Sequence, residues 1–400
     1  MNPEKLPALR LKKGEDRRLK QGHLWIYSNE VDIQATPLKV FTPGQSVTVE
    51  NHLGHPLGSA YVNPHSLISA RFYSRGAHRQ FDRDLLRRRL EQALALRELL
   101  YREPFYRLCF AEGDFLPGLV VDRFADYFCV QITTAGMETS KDLIIQVLIE
   151  MFKPRGIVLR NDVSLREMEG LPLYVEVVHG DIPEQVLVKE NGAEFFTSLL
   201  TGQKTGWFYD HRENRARMQT YVQGKRVLDV FSYLGAWGIT AARTGASQVL
   251  CVDSSQTALD KITQHAQHNQ VSDRCAVSKG DAFAVLAQLL ADKQKFDVVI
   301  LDPPAFVKRR KDLAQGLHAY QSINQLALQL LDNNGILISA SCSQHVDGPT
   351  LLGAIRTAVK PLPLRLQVIG QGHQAADHPI HPAMPETEYL KTFYCRIVSE

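Results

Sequence analysis

Several absences narrow what this 400-residue chain can be. No apolar run approaches the roughly 18 residues needed to cross a bilayer, and the first twenty residues are charged where a secretion signal would be apolar. The expected compartment is therefore the cytoplasm, with no membrane partner. Six cysteines, at positions 109, 129, 251, 275, 342 and 395, form no Cys-x-x-Cys pair and no Cys/His set at zinc spacing. Neither a disulfide framework nor a metal site is expected. Most of these thiols sit in apolar runs, as Cys129 does in Tyr127-Phe128-Cys129-Val130, where a cysteine acts as a small core residue. Cys342 is the exception.

The net charge of +3 conceals a split: residues 1–110 carry 18 Lys+Arg against 11 Asp+Glu, and the remainder 28 against 32. A basic N-terminal part suits contact with phosphates, and equally suits plain solubility. Residues 1–77 read as short strands broken by turns, the pattern of a small β-barrel. Lys12, Lys13, Arg17, Arg18 and Lys20 lie just before Trp25, a pairing of cations with an aromatic that suits RNA, although Trp25 alone reads better as core.

Leu85, Leu86, Leu90, Leu94, Leu99 and Leu100 recur at helical spacing opposite Arg87, Arg88, Arg89 and Arg97, predicting an amphipathic helix over 81–103. That helix opens a central mixed α/β domain, residues 78–190. From 191 to 400, apolar strands ending at Val230, Asp253, Asp302 and Ser339 alternate with helical stretches, which predicts a doubly wound, Rossmann-like parallel sheet. Residues 364–369 and 389–398 have no clear helix between them and suit an antiparallel pair at one sheet edge.

Doubly wound sheets bind ligands where their strands end. Strand one ends at Asp229 and runs into Phe231-Ser232-Tyr233-Leu234-Gly235, a loop whose glycine lets backbone approach a ligand and whose following helix offers free N–H groups. Strand two ends at Asp253, eighteen residues after Gly235, placed to accept from ribose hydroxyls. Asp281-Ala282-Phe283 supplies an acid for an adenine amino group and an aromatic beside the ring. Any one of these acids alone would read as a helix cap or a surface charge; three at successive strand ends imply a nucleoside cofactor. The Gly-x-Gly-x-x-Gly cradle for pyrophosphate is missing, so S-adenosylmethionine fits better than a nicotinamide dinucleotide. Upstream, Lys204-Thr205-Gly206 and Asp210-His211-Arg212 read as a lid over the cofactor, with Lys204 or Arg212 meeting its carboxylate, or as plain interdomain packing.

Strand four ends in Asp302-Pro303-Pro304-Ala305-Phe306, where two prolines fix the backbone beside the aspartate. Methyltransferases acting on exocyclic amines usually carry an aromatic at the place of Ala305, which weakens that reading. Strand five leads into Ser341-Cys342-Ser343, putting a thiol at the strand end next to Asp302. Carbon 5 of a pyrimidine accepts a methyl group only after a nucleophile adds to carbon 6, and a thiolate with a nearby carboxylate meets that need.

At these residues the chain resembles the bacterial 5-methylcytosine methyltransferase family of large-subunit ribosomal RNA. The resemblance is carried by Gly22-His23-Leu24-Trp25-Ile26-Tyr27, Leu116-Pro117-Gly118-Leu119-Val120-Val121-Asp122, Lys204-Thr205-Gly206, Asp210-His211-Arg212-Glu213-Asn214-Arg215, Asp302-Pro303-Pro304-Ala305-Phe306, Ser341-Cys342-Ser343 and Ala376-Asp377-His378-Pro379. It implies a PUA domain joined to a methyltransferase domain, RNA contact by residues 1–77, Cys342 as nucleophile and Asp302 against the base. The family's lid reads Thr-Gly-Phe-Tyr-x-Asp-Gln-Arg, so Trp207-Phe208-Tyr209 and His211 depart from it. A guanine-nitrogen RNA methyltransferase and a non-catalytic RNA-binding protein are the competing readings. A homodimer is left open, and Asp377-His378-Pro379 reads as either a base or a turn.

Overall fold

A computed structural model describes residues 5–399; residues 1–4 and 400, at the outer ends of the first and last expected domains, lie outside the described residues. The chain divides into two compact units. One comprises Met1–Val186, Ser198–Trp207 and Ala376–Thr387, the other Leu187–Thr197, Phe208–Ala375 and Glu388–Glu400. Among the described residues no helix is long and apolar enough to cross a membrane.

The first unit holds two five-stranded sheets. β1 (Ala8–Arg10), β2 (Trp25–Tyr27), β3 (Gln45–Glu50), β4 (Pro56–Val62) and β5 (Ile68–Ser74) lie in the order β1-β3-β4-β5-β2, with the short helix α1 (Arg17–Lys20) between the first two in sequence. Their core of Leu9, Ile26, Val47, Val49, Val62 and Ala70 is completed by Met384, whose sulfur accepts from the Leu24 N–H. Helix α2 (Arg83–Leu100) leads to the second sheet, formed by β6 (Phe105–Phe110), β7 (Leu119–Phe124), β8 (Tyr127–Ile132), β9 (Gly156–Asn161) and β10 (Tyr174–Gly180) in the order β10-β9-β8-β7-β6. Helices α3 (Ala135–Glu138) and α4 (Lys141–Phe152) separate β8 from β9 in the chain.

Helix α2 forms as its leucine spacing predicts, capped by Asp82, which accepts from Leu85 N–H. Three of its residues depart from expectation. Leu99 and Leu100 are exposed, and Arg97, expected on the charged face, is fully buried. The reason is the helical period: Leu86, Leu90, Ala93 and Arg97 succeed one another at four- and three-residue steps and share the inward face. There Arg97 grips both carboxylate oxygens of Asp114 at 2.6 and 2.7 Å and donates to the Asp377 carbonyl at 2.6 Å. Asp377 also accepts from the Arg107 N–H and pairs with His378, so this motif is a buried structural joint of the first unit.

In the second unit β11 (Val186–Glu190) and β12 (Ala193–Thr197) form a two-stranded sheet, and helix α5 (Arg212–Met218) precedes the main sheet. Its strands are β13 (Arg226–Val230), β14 (Gln248–Asp253), β15 (Cys275–Lys279), β16 (Phe296–Leu301), β17 (Leu331–Ser341), β18 (Leu364–Gly372) and β19 (Lys391–Ser399), ordered β15-β14-β13-β16-β17-β19-β18. Helices α6 (Ala236–Thr244), α7 (Gln256–His268), α8 (Ala282–Ala291), α9 (Leu313–Leu330) and α10 (Gly348–Val359) connect them. The first five strands are parallel, as predicted, and β18 pairs antiparallel with β19. The order departs from that of the chain in two places: β13 lies between β14 and β16, with β15 at the edge, and β19 inserts between β17 and β18, antiparallel to both. The first strand's end, Val230, lies opposite Val252 on one side and Leu301 on the other, so the strand-end loops gather along one edge around the topological switch point.

Candidate active site

The loop after β13 is held before any ligand enters. Phe231 and Ser232 donate their N–H groups to the Val252 carbonyl, while the Ser232 hydroxyl donates to Asp229 O at 2.7 Å and accepts from Val252 N–H at 3.0 Å. Phe231 and Tyr233 have φ of 65° and 49°, costly for residues with a Cβ and found where surroundings over-determine the backbone. Gly235 caps α6 at φ 78°, and a Cβ there would stand 3.0 Å from Ile262.

Three acids frame this loop. Asp253, at the end of β14, accepts from Tyr233 N–H and Ser255 N–H, both at 2.9 Å, and remains partly exposed with spare acceptor capacity for ribose hydroxyls. Asp229 is wholly buried; one oxygen accepts from Gly238 N–H at 3.0 Å and the other, also buried, has no partner. Burial chiefly, helped by the negative charges of Asp302 and Asp253, pushes its carboxyl up to about 7 against the pull of the Gly238 bond. Asp281 caps α8 by accepting from Ala284 N–H and is exposed. Beyond it, Phe283 and Phe231 each meet the Phe306 ring at 6.3 Å, bringing two expected cofactor residues together through a side chain that follows Asp302. An orphaned buried acceptor, a free carboxylate edge and an aromatic cluster fit an aminoacyl nucleoside: Asp229 for its ammonium group, Asp253 for ribose, and Asp281 with the Phe231 and Phe283 rings for adenine.

The lid residues divide. Lys204, Thr205 and Gly206 belong to Ser198–Trp207 of the first unit, where Thr205 is buried with a hydroxyl lacking a partner. Asp210 and Arg212 belong to the second. The Tyr389 hydroxyl donates to Asp210 at 2.6 Å, and Arg212 is buried 3.7 Å from Glu190, which Arg215 also grips.

Asp302 is tied from two sides, by Trp237 Nε1 donating to one oxygen at 3.0 Å and His211 Nε2 lying 3.1 Å from the other. Asn214 donates to His211 Nδ1, which leaves the ring proton on Nε2, facing the carboxylate. Burial alone would raise the Asp302 carboxyl, but His211 and Trp237 outweigh it and hold it below its ordinary value. Nothing in the sequence marks either partner as a contact of Asp302; the one signal is that His211 stands where the related lid pattern has Gln.

Cys342 follows the last residue of β17, partly exposed, in a turn clamped by Tyr320, whose hydroxyl bonds Ser341 and Ser343 at 2.7 and 2.9 Å. The Ser343 hydroxyl accepts from Val307 N–H at 3.2 Å, tying this turn to the Asp302 loop. Lys391, which no sequence motif marks, donates to the carbonyls of Ser343 at 2.7 Å and Tyr389 at 2.8 Å.

Of the expected RNA contacts, Trp25 packs against the barrel core and donates to Glu112 at 2.8 Å. Arg18 pairs with Glu30, Lys20 with Asp16, and Lys12 donates to the Asn29 carbonyl; Lys13 and Arg17 are exposed. The run Lys308-Arg309-Arg310-Lys311, directly after the Asp302 loop, is a further set of cations that sequence reasoning missed; its first two residues line a cavity of about 650 Å³ with Phe306 and Gln315.

Residues 9–75 match the PUA-like domain family and residues 172–363 the S-adenosylmethionine-dependent methyltransferase family. The chain is 37% identical over 396 residues to ribosomal RNA large subunit methyltransferase I of Aliivibrio fischeri strain MJ11, covering 98% of this chain and 99% of that protein. The protein of the same name from Vibrio cholerae strain O395 is 36% identical over 400 residues, covering 98% and 100%. In fold, a solved chain of methyltransferase type complexed with SAH is similar at a TM-score of 0.84 and 20% identity, covering 98% of this chain and 100% of that one. A solved chain of the same type from Streptococcus mutans gives 0.82 at 20% identity, with the same coverage. With full-length relatives at this identity and both domains matched, the chain belongs to the ribosomal RNA large subunit methyltransferase I family and is an S-adenosylmethionine-dependent methyltransferase with a PUA-like domain.

Proposed function

We propose that this chain methylates carbon 5 of a cytosine in large-subunit (23S) ribosomal RNA, with Cys342 as the nucleophile. The name of its relatives supplies the substrate class. One observation carries the choice of atom: β16 and β17 are parallel neighbours, so the carboxylate of Asp302 and the thiol of Cys342 follow adjacent strand ends, in loops joined by the Val307 to Ser343 bond. Cofactor binding supplies an electrophilic methyl group. The protein's own part is to make carbon 5 nucleophilic: the Cys342 thiolate adds to carbon 6 and moves the ring's double-bond electron pair to carbon 5, and once carbon 5 is methylated its proton leaves to solvent as the S–C bond breaks and the electron pair returns to sulfur. Asp302, held ionised by His211 and Trp237, accepts from the cytosine amino group and orients the ring.

On this reading the working compartment is the cytoplasm, and residues 1–77 and 78–190 serve RNA docking while 191–400 carry the chemistry. The exposed Lys13, Arg17, Lys308, Arg310 and Lys311 are among the cations available to phosphates, while Arg309 pairs with Asp312. Sedimentation of the purified chain tests the homodimer.

The deciding experiment is nucleoside mass spectrometry of ribosomal RNA treated with the wild-type chain and with Cys342→Ala. Wild type should add 5-methylcytidine; Cys342→Ala should add none, while cofactor affinity and melting temperature stay near wild type, because the removed group acts only on the reacting base. Target RNA carrying 5-fluorocytosine should trap a covalent adduct on wild type and not on Cys342→Ala. Comparable methylation by Cys342→Ala, or methylguanosine as product, refutes the assignment.

A further inference from the structure

We propose that Lys391 takes the proton from the Cys342 thiol and then holds the resulting thiolate by its charge. The inference rests on Cys342 being the nucleophile, and it adds the residue that activates it. Backbone register sets Lys391 of β19 opposite Ser341, the residue before Cys342, so the antiparallel insertion of β19 is what brings an amine to this turn. Its nitrogen is fixed there by the Ser343 and Tyr389 carbonyls.

Those two bonds matter chemically. A neutral amine has two N–H donors and one lone pair; with both donors engaged by carbonyls, the lone pair is left for an incoming proton. Lys391 is half-buried, and the charged or ionisable groups that face it are Cys342, Asp347 and Glu388. Among the described residues no carboxylate forms an ion pair with it, so nothing pins it as a permanent ammonium ion. Burial accordingly brings the ammonium down to about 8, close to the roughly 8.5 of an ordinary thiol. In the transfer the S–H bond breaks, an N–H bond forms, and the electron pair stays on sulfur. The ammonium then faces the thiolate, both before it attacks carbon 6 and after the S–C bond breaks to release product. Cys109, Cys129 and Cys251 are wholly buried and raised well above the thiol range, so no equivalent activation exists for them.

The test reads the thiol directly. Full-length protein is alkylated with iodoacetamide across a range of about five pH units that brackets the thiol value, and the Cys342 peptide is quantified by mass spectrometry, which separates it from the partly exposed Cys275. In wild type the alkylation midpoint should lie below that of an ordinary thiol. Lys391→Met should raise it by about one pH unit, slowing alkylation near neutral pH about tenfold, and should slow methyl transfer in parallel. Lys391→Arg, which keeps the charge and the carbonyl bonds, should return the midpoint towards wild type while failing to restore the rate at neutral pH, since guanidinium cannot accept the proton. Thermal melts of both variants show whether they fold. An unchanged midpoint in folded Lys391→Met, or full turnover by Lys391→Arg, overturns the role of Lys391. Methylation by Cys342→Ala instead overturns the nucleophile assignment, and leaves the alkylation result to be read separately.

Discussion

Asp229 and Asp302 close adjacent strands, yet their surroundings drive them apart. Asp229 has one backbone donor and an oxygen with none, so burial dominates and its carboxyl rises to about 7. Below about pH 4 the group is protonated both folded and unfolded and costs nothing. Between there and about 7 the unfolded chain gives up its proton while the folded chain keeps it, so stability falls with rising pH, and the loss is complete above that range. Asp229→Asn should therefore match wild type in melting temperature near pH 4 and gain over it towards pH 8. The gain should reach up to a few kcal/mol, at roughly 1.4 kcal/mol for each tenfold difference in proton affinity between the folded and unfolded chain. Calorimetry at the two pH values checks this; parallel curves would contradict it. Asp302 behaves oppositely, because His211 and Trp237 outweigh its burial. His211→Leu should raise the pH at which the Asp302 carboxylate forms by on the order of one pH unit, followed by carbon-13 NMR of the labelled carboxyl group, and His211→Gln, which restores a donor, should raise it less. A carboxyl group that titrates unchanged in His211→Leu would show that Trp237 alone suffices.

Among the elements, α8 illustrates how one side chain can serve structure and ligand together. Asp281 caps the helix through Ala284 N–H, as the ordinary reading of the sequence allows, and is still exposed where an adenine amino group is expected. Asp281→Ser separates the two roles, since serine caps about as well as aspartate but cannot reach as far or carry charge. The expected outcome is a melting temperature within about a degree of wild type and cofactor binding weakened roughly tenfold, the loss of one hydrogen bond of about 1.5 kcal/mol to a charged group. Unchanged affinity by calorimetry would leave Asp281 a cap alone. In α2 the local pattern misleads at Arg97, because a stripe of leucines does not say which polar side chain shares its face; Arg97 does so only because Asp114 and the Asp377 carbonyl are there to receive it.

For the whole molecule, the segment Ala376–Thr387 matters most. It belongs to the first unit although nearly two hundred residues separate it from that unit's last strand, and it supplies Met384 to the barrel core and Asp377 to the Arg97 joint. Cutting the chain before Gly192 to isolate the catalytic half would strip this segment and Ser198–Trp207 of their packing, so substitutions are the better probe of RNA binding. Removing Arg97 leaves Asp114 with a buried charge, and Arg97→Leu should cost about 3–5 kcal/mol. A chemical-denaturation midpoint unchanged in that variant would show that the joint is dispensable.

What the sequence determined by itself is everything that depends on local period and on strand ends: an N-terminal barrel, the leucine stripe of α2, a parallel sheet, and acids and a thiol at the carboxyl ends of its strands, where a doubly wound fold places ligands. Only the tertiary structure decided that Arg97 turns inward, that His211 and Trp237 hold Asp302, that Phe306 joins Phe231 to Phe283, and that β19 enters the sheet beside β17 to set Lys391 against the Cys342 turn. These contacts join residues tens to hundreds of positions apart. A periodicity states which face of a segment must leave water; which charged or aromatic partner meets it there is set by strand order and register, and neither is written in the segment itself.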